Sequence, residues 1–312
     1  IMANTPRIQS KLIYSLGQPA IPTVLTPDLP EFNHFGCGCD FTLKALADNS
    51  GDPLKNDKAG FLWWFNDTIN AAQLTLQKWS GSAWVDVAVL VDNTYGTNYA
   101  FEFFTNEQGE NFIGYQLEWA LVLDAEGEGS YRVICATTDY LAATNTLYSY
   151  EYCLKTYSPA RANGTIRIEY YNNGVLGRSD VDEMFKDFGD LNWYNAFRLN
   201  GWFGFPKYQY EKTNIQYNNG QILNVTHEQT PRYELQLKMQ PDFVHEALRI
   251  DAVMSDAILI TDYNNYSPKN YVSKRVIHDG NYEPDWNKGR NKLSDVKLEF
   301  IQEVNNLKKY RF

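Results

Sequence analysis

A chain of 312 residues with 44% hydrophobic and 15% aromatic content carries enough apolar side chain for a sizeable core, which excludes a disordered chain. Its net charge is −10, and Lys/Arg cluster only in the tail Lys308-Lys309-Tyr310-Arg311, so the basic footprint that nonspecific nucleic-acid binding requires is absent. No apolar run approaches a membrane span and there is no secretory h-region, so neither nucleic acid nor membrane is expected as a partner.

Residues 1–35 carry Pro6, Pro19, Pro22, Pro27 and Pro30, a spacing that forbids a helix and weakens any central strand. They read as an extended arm, able to reach on the order of 100 Å. Ile8, Leu12, Ile13, Leu16, Ile21, Val24, Leu25 and Phe32 recur too irregularly for one amphipathic face, so the arm is expected to pack on a neighbouring subunit. Next comes His34-Phe-Gly-Cys37-Gly-Cys39, which could ligate a soft metal but lacks a convincing fourth ligand. Free thiols and no metal are therefore expected. Four cysteines are too few for a disulfide scaffold at this length and fit folding in a reducing cytoplasm.

Residues 36–142 hold about seven short alternating runs, the number an immunoglobulin-like β-sandwich needs. They are 41–47, 61–66, 72–79, 84–91, 99–104, 115–123 and 130–137, with a hairpin loop at Ser80-Gly81-Ser82 and a core tryptophan at Trp63 or Trp64. Within 115–135, Tyr115, Leu117, Trp119, Leu121 and Leu123 alternate with polar and small residues, and an acidic, Gly-rich break precedes Tyr131, Val133 and Cys135. The spacing Gly127-x-Gly129-x-Tyr131 resembles a tyrosine corner, with Val133 where an immunoglobulin domain has its second cysteine. No disulfide is therefore expected to be needed for folding.

Polar residues 143–150 mark a boundary, and 143–312 read as a second β-rich domain with one or two short helices. Its strands are 150–155, 165–171, 208–217, 221–228, 233–240, 257–262, 270–278 and 292–304. Asn172-Asn173-Gly174 and Asn218-Asn219-Gly220 are hairpin turns. Ser179 caps a short helix whose acids Asp180, Asp182 and Glu183 suit its first turn, and Pro241 opens another helix with Phe243, Val244, Ala247 and Leu248 inward. Asp180, Asp182 and Glu183 could instead supply a carboxylate pair for glycoside hydrolysis, but the helix-start role accounts for them. His34, His227, His245 and His278 sit in no metal or nucleophile motif, and no phosphate-binding glycine loop occurs. No enzyme, catalytic residue or cofactor is expected. The sequons at Asn66, Asn163, Asn224 and Asn265 are of a kind that arises often by chance.

The richest surface candidate is 197–210, where Trp202, Phe203, Phe205, Tyr208 and Tyr210 gather around Gly201, Gly204 and Pro206. Such residues could plug the core, form an interface hot spot or stack on sugars, in that order. The segment 197–210, the run Tyr233-Glu-Leu-Gln-Leu-Lys-Met239, and the closing Ile258-Leu-Ile-Thr-Asp-Tyr-Asn264, Pro284 and Val296-Lys-Leu-Glu-Phe300 together resemble virion tail, collar or baseplate proteins of tailed bacteriophages infecting Bacteroidetes-type hosts, crAss-like phages included. The resemblance covers about 150–312. It implies a non-enzymatic structural subunit of a symmetric ring in the virion, assembled in the host cytoplasm, whose partners are its own copies and other virion proteins. The alternative is a surface glycan-binding module with an aromatic stacking site.

Overall fold

The computed structural model describes residues 13–15, 43–65, 69–98, 111–139, 144–171, 195–241, 244–245, 247–253, 255, 257–264, 272–286, 293–302 and 306–309. The chain is mainly β, as its alternating runs predict. Its closed unit is a six-stranded antiparallel barrel in the second half.

The first half supplies β1 (Ile13–Ser15), β2 (Leu43–Ala47), β3 (Lys58–Phe65), β4 (Ile69–Trp79), β5 (Trp84–Val89), β6 (Gly96–Asn98), β7 (Asn111–Glu118), helix α1 (Trp119–Glu126), β8 (Gly129–Asp139), β9 (Thr144–Tyr148) and β10 (Tyr152–Thr156). The second half supplies α2 (Pro159–Ala162), β11 (Thr165–Tyr171), β12 (Asn195–Trp202), β13 (Lys207–Gln216), β14 (Ile222–Pro241), a π-helical turn (Ala247–Ala252), β15 (Ala257–Asp262), β16 (Val272–His278), β17 (Glu283–Trp286), β18 (Leu293–Gln302) and β19 (Asn306–Lys309).

The barrel closes in the order β11-β12-β14-β18-β16-β15 and back to β11. Ile166, Ile168, Tyr170, Leu199, Tyr233, Leu235, Leu237, Ile258, Ile260, Val276, Val296, Leu298 and Phe300 are buried in its strands. Their period of two is what alternation on a barrel wall requires. The seam between β12 and β14 is short, with Gly201 opposite Leu237 and Trp202 opposite Gln236. A Cβ on Gly201 would stand 2.6 Å from Leu237 Cδ2 and 2.8 Å from the Gln236 carbonyl oxygen, so a residue without a side chain lets the barrel shut.

The expected immunoglobulin-like sandwich at 36–142 is not the architecture found. The sheet of the barrel runs on from β12 through β2, β10, β8 and β4 to β5, while β1, β3, β7 and β6 form a separate four-stranded sheet. β10 pairs in parallel with β2 and antiparallel with β8, and β9 (Thr144–Tyr148) also pairs with β8 within this continuous sheet. Part of the N-terminal arm sits on its own chain, with β1 parallel to β3 at Leu62, Trp63 and Trp64.

The alternation at 115–123 breaks at Trp119. From there Ala120, Leu121, Leu123 and Ala125 favour a helix, in which Trp119 and Val122 turn inward three residues apart while Leu121 is 45% exposed. Gly127, at φ 76°, ends it and donates its N–H to the Leu123 carbonyl. Trp119 is thus a buried core tryptophan, packed on Tyr131 and Tyr152 at centroid distances of 6.1 and 5.1 Å, while the side chains of Trp63 and Trp64 lie outside the described residues. The tie of Tyr131 is present: its hydroxyl donates to the Gly127 carbonyl at 2.7 Å. Tyr152, equally buried, has no hydrogen-bond partner for its hydroxyl among the described residues. Tyr131→Phe is therefore expected to cost about 1 kcal/mol, whereas Tyr152→Phe is expected to be neutral or slightly stabilising. Urea unfolding of the two variants checks both signs, and equal losses would refute the contrast.

The expectation about cysteines is corrected. Cys153 is disulfide-bonded, its partner lying outside the described residues. Among the described residues Cys135 is a free thiol, pushed up to about 12 by burial. Val133 proved a poor guide because the bond is carried by β10, the next strand, and not by β8. Reductant is expected to lower the unfolding free energy by about 2–5 kcal/mol. Superimposable melting curves with and without reductant would contradict this.

Candidate interaction surface

β14 is 20 residues long because it serves two structures. From Arg232 to Pro241 it is a barrel wall paired with β18, and before that it leaves the barrel as a hairpin with β13. The turn is Asn218-Asn219-Gly220: Tyr217 donates its N–H to the Gln221 carbonyl at 2.8 Å, and Gly220 sits at φ 83°. Counting from that bond, the odd-numbered amides of β13 face β14 and the even-numbered ones face outward. On β14 a register shift opposite Thr213/Asn214 inserts one extra residue, so from Thr226 to Arg232 the odd-numbered amides face away from β13. Pro231, which has no N–H, falls in the gap of this edge between two described partner strands, since β18 ends opposite Arg232 and β19 begins opposite Gln229. This is why one strand holds what its sequence suggests are two runs, 221–228 and 233–240.

All ten residues of β13 are exposed, so both faces of the arm meet solvent. Tyr208, Tyr210, Ile215, Tyr217 and Ile222 are 46–63% exposed along it. The five aromatic candidates do not share one surface. Phe203 is 1% exposed and plugs the barrel, stacked on Tyr233 at 4.8 Å with 6° between the planes. Its N–H and that of Gly204 donate to the buried carboxylate of Asp262 at 2.8 and 3.2 Å, which fixes the chain where β12 ends. Trp202, 40% exposed, points the opposite way from Gly201 and lies over Gly204, whose added Cβ would be 2.7 Å from the indole. Phe205 is 65% exposed. Tyr208 and Tyr210 stand opposite Pro231 and Gln229, on the continuation of the barrel's inner face.

Three polar clusters come together that sequence order does not announce. The first joins the two halves. Asp57, 4% exposed, accepts from Arg198 Nε at 2.7 Å and Nη2 at 2.8 Å, and from Arg167 Nη1 at 3.4 Å. Arg167 and Arg198 are register partners on β11 and β12, on the barrel's outer side. The loop 48–57 closes over them, with Arg167 also donating to the Pro53 and Asn56 carbonyls and Arg198 lying 4.2 Å from the Tyr263 ring. Burial pulls the Arg198 guanidinium down, and the Asp57 charge beside it overcomes this and raises it.

The second is a cleft of about 480 Å³ between that loop and α1, lined by Asp48, Asp57, Lys58, Glu118, Leu121 and Asp124 among others. Its charges are engaged internally: Lys58 binds Glu118 at 2.7 Å, and the Lys55 ammonium stands 3.9 Å from Asp48 and 3.6 Å from Asp52. No cluster of three metal-ligating groups occurs among the described residues.

The third resembles hydrolase chemistry at first sight. Ser294 Oγ is 2.6 Å from His245 Nε2, and His245 Nδ1 is 2.7 Å from the Tyr282 hydroxyl. However, Nε2 is also 3.1 Å from the Gln240 carbonyl, which can only accept. Nε2 therefore carries the proton, Tyr282 donates to Nδ1, and the imidazole cannot take a proton from Ser294. With Ser294 1% and His245 2% exposed, the cluster closes one end of the barrel. His278 is half-buried elsewhere, while His34 and the helix-start acids Asp180, Asp182 and Glu183 lie outside the described residues.

On β8, Arg132 stands 4.4 Å from both the Trp84 and Tyr148 rings. Burial pushes nearby Glu151 up to about 8, against the opposing pull of Arg132. A raised carboxyl is protonated in the folded state, so its contribution to stability is complete below its unfolded value and is lost as pH rises toward about 8. The melting temperature is expected to fall over that window in the native chain and less in Glu151→Gln. Parallel pH profiles would contradict the assignment.

The described residues thus define a mainly β chain with a closed barrel and a projecting two-stranded arm. No protein-family model matches the chain, and no curated protein matches it either.

Proposed function

We propose that the chain is a non-enzymatic structural subunit that assembles with its own copies, in keeping with the tail, collar or baseplate proteins of phage virions that its second half resembles. The observation that carries this reading is the arm: ten residues of β13 exposed on both faces, bearing Tyr208, Tyr210 and Ile215, on a rigid barrel. An edge strand left in solvent is a ready template for pairing, and exposed aromatics suit interface anchors. Sedimentation velocity across a concentration series, with negative-stain imaging of the heaviest species, tests the proposal. Symmetric oligomers support it, and a monomer at all concentrations overturns it. The second reading, glycan binding, is favoured by one detail, the indole of Trp202 held flat against Gly204. A glycan array with a ligand lost in Trp202→Ala would put that reading first.

A further inference from the structure

The arm has a self-complementary edge. The hairpin register turns the amides and carbonyls of Tyr208, Tyr210, Lys212, Asn214 and Gln216 outward, and no described strand pairs with that edge. Two copies related by a two-fold axis perpendicular to the sheet must place side chains of equal parity opposite one another. The strand then chooses among few centres. A centre at Glu211 sets two carboxylates face to face, and a centre at Lys212 sets two ammonium groups face to face. A centre at Thr213 pairs no opposite charges. A centre at Gln209 places Lys207 opposite Glu211 and Tyr208 opposite Tyr210, each twice by symmetry, with the outward-facing residues 208 and 210 forming the hydrogen-bonded pairs. Opposite charges and aromatic pairs directly across strands are the stabilising combinations, whereas like charges repel.

We propose that β13 is an isologous docking strand, pairing antiparallel with β13 of a second copy about a two-fold axis at Gln209. This rests on the self-assembly reading above and names its contact. The overlap is short, so the pair forms weakly in isolation and gains strength where other contacts hold the copies together.

The test uses the full chain. At the axis the Gln209 residues form a non-hydrogen-bonded pair, with Cα atoms about 4.5 Å apart, within the span a disulfide bridges. Gln209→Cys is expected to give a covalent dimer under mild oxidation, while Thr213→Cys, treated alike, stays at the level of the native chain. Separately, Glu211→Lys is expected to weaken association about tenfold or more by sedimentation, and the double variant Lys207→Glu/Glu211→Lys to restore it. If the chain self-associates but Gln209→Cys crosslinks no better than Thr213→Cys, this contact is refuted and the assembly reading stands. If the native chain is monomeric throughout and Gln209→Cys does not crosslink, both fall.

Discussion

Asp57→Asn is expected to destabilise the folded chain by about 3–5 kcal/mol. The side chain keeps its shape and loses its charge, so two guanidinium groups remain buried together with Glu169, at 3.2 Å from Arg167, as the remaining acid. The size of the loss comes less from the Coulomb attraction removed than from cations that burial has taken out of water. Arg198 bears the larger part, because both its contacts to the carboxylate are short and its side chain is fully buried. The Leu46 amide, which donates to the same carboxylate at 2.7 Å, would keep a partner in the amide oxygen. Chemical unfolding measures the loss. A double-mutant cycle with Arg198→Met separates the pair from its surroundings: the double variant should be less destabilised than the sum of the singles. A loss below about 1 kcal/mol, the range of exposed ion pairs, would mean that solvent reaches the clamp.

Phe203→Ala is expected to cost about 3–5 kcal/mol, the range for emptying a large aromatic from a core. Phe203 touches Tyr233 face to face and Phe300 edge-on at 6.2 Å, so its removal leaves a void against the paired strands β14 and β18. Phe205→Ala, two residues on, is expected to stay within about 0.5 kcal/mol of the native chain, because its ring is mostly in solvent. The contrast separates core from surface within one aromatic cluster. Similar losses for both would show that the loop acts as one packed unit.

That contrast also shows where sequence reading reaches and where it stops. Alternation located β11, β15 and most of β4, β8 and β18, because a strand with one buried face writes its period directly. Asn219-Gly220 announced the arm's turn. The segment 115–123 misled because Trp119, Leu121 and Leu123 suit period two while Trp119 and Val122 suit a helix, and Gly127 reads as a corner or as a helix stop. Barrel closure was not legible, since the decisive contact pairs Gly201 with Leu237, and a glycine carries no sign of which strand it must admit. The Asp57 clamp was equally hidden. Its aspartate and arginines are ordinary charged residues until loop 48–57 folds over β11 and β12. Among the aromatic candidates, composition found the cluster, but only strand register separates Phe203 in the core from Trp202, Phe205, Tyr208 and Tyr210 outside.

The clamp has a consequence for how the chain is made. Asp57 emerges from the ribosome 141 residues before Arg198, and β2 precedes its parallel partner β10 by more than a hundred. Until β12 has been synthesised, the Asp57 carboxylate lacks its closest partner, Arg198, and β2 lacks its place between β10 and the barrel. The first half therefore cannot reach its final form by vectorial folding alone. Its completion waits on the barrel strand that pairs with β2, so a nascent chain halted before β12 exposes the unpaired edge of β2, a template for wrong pairing.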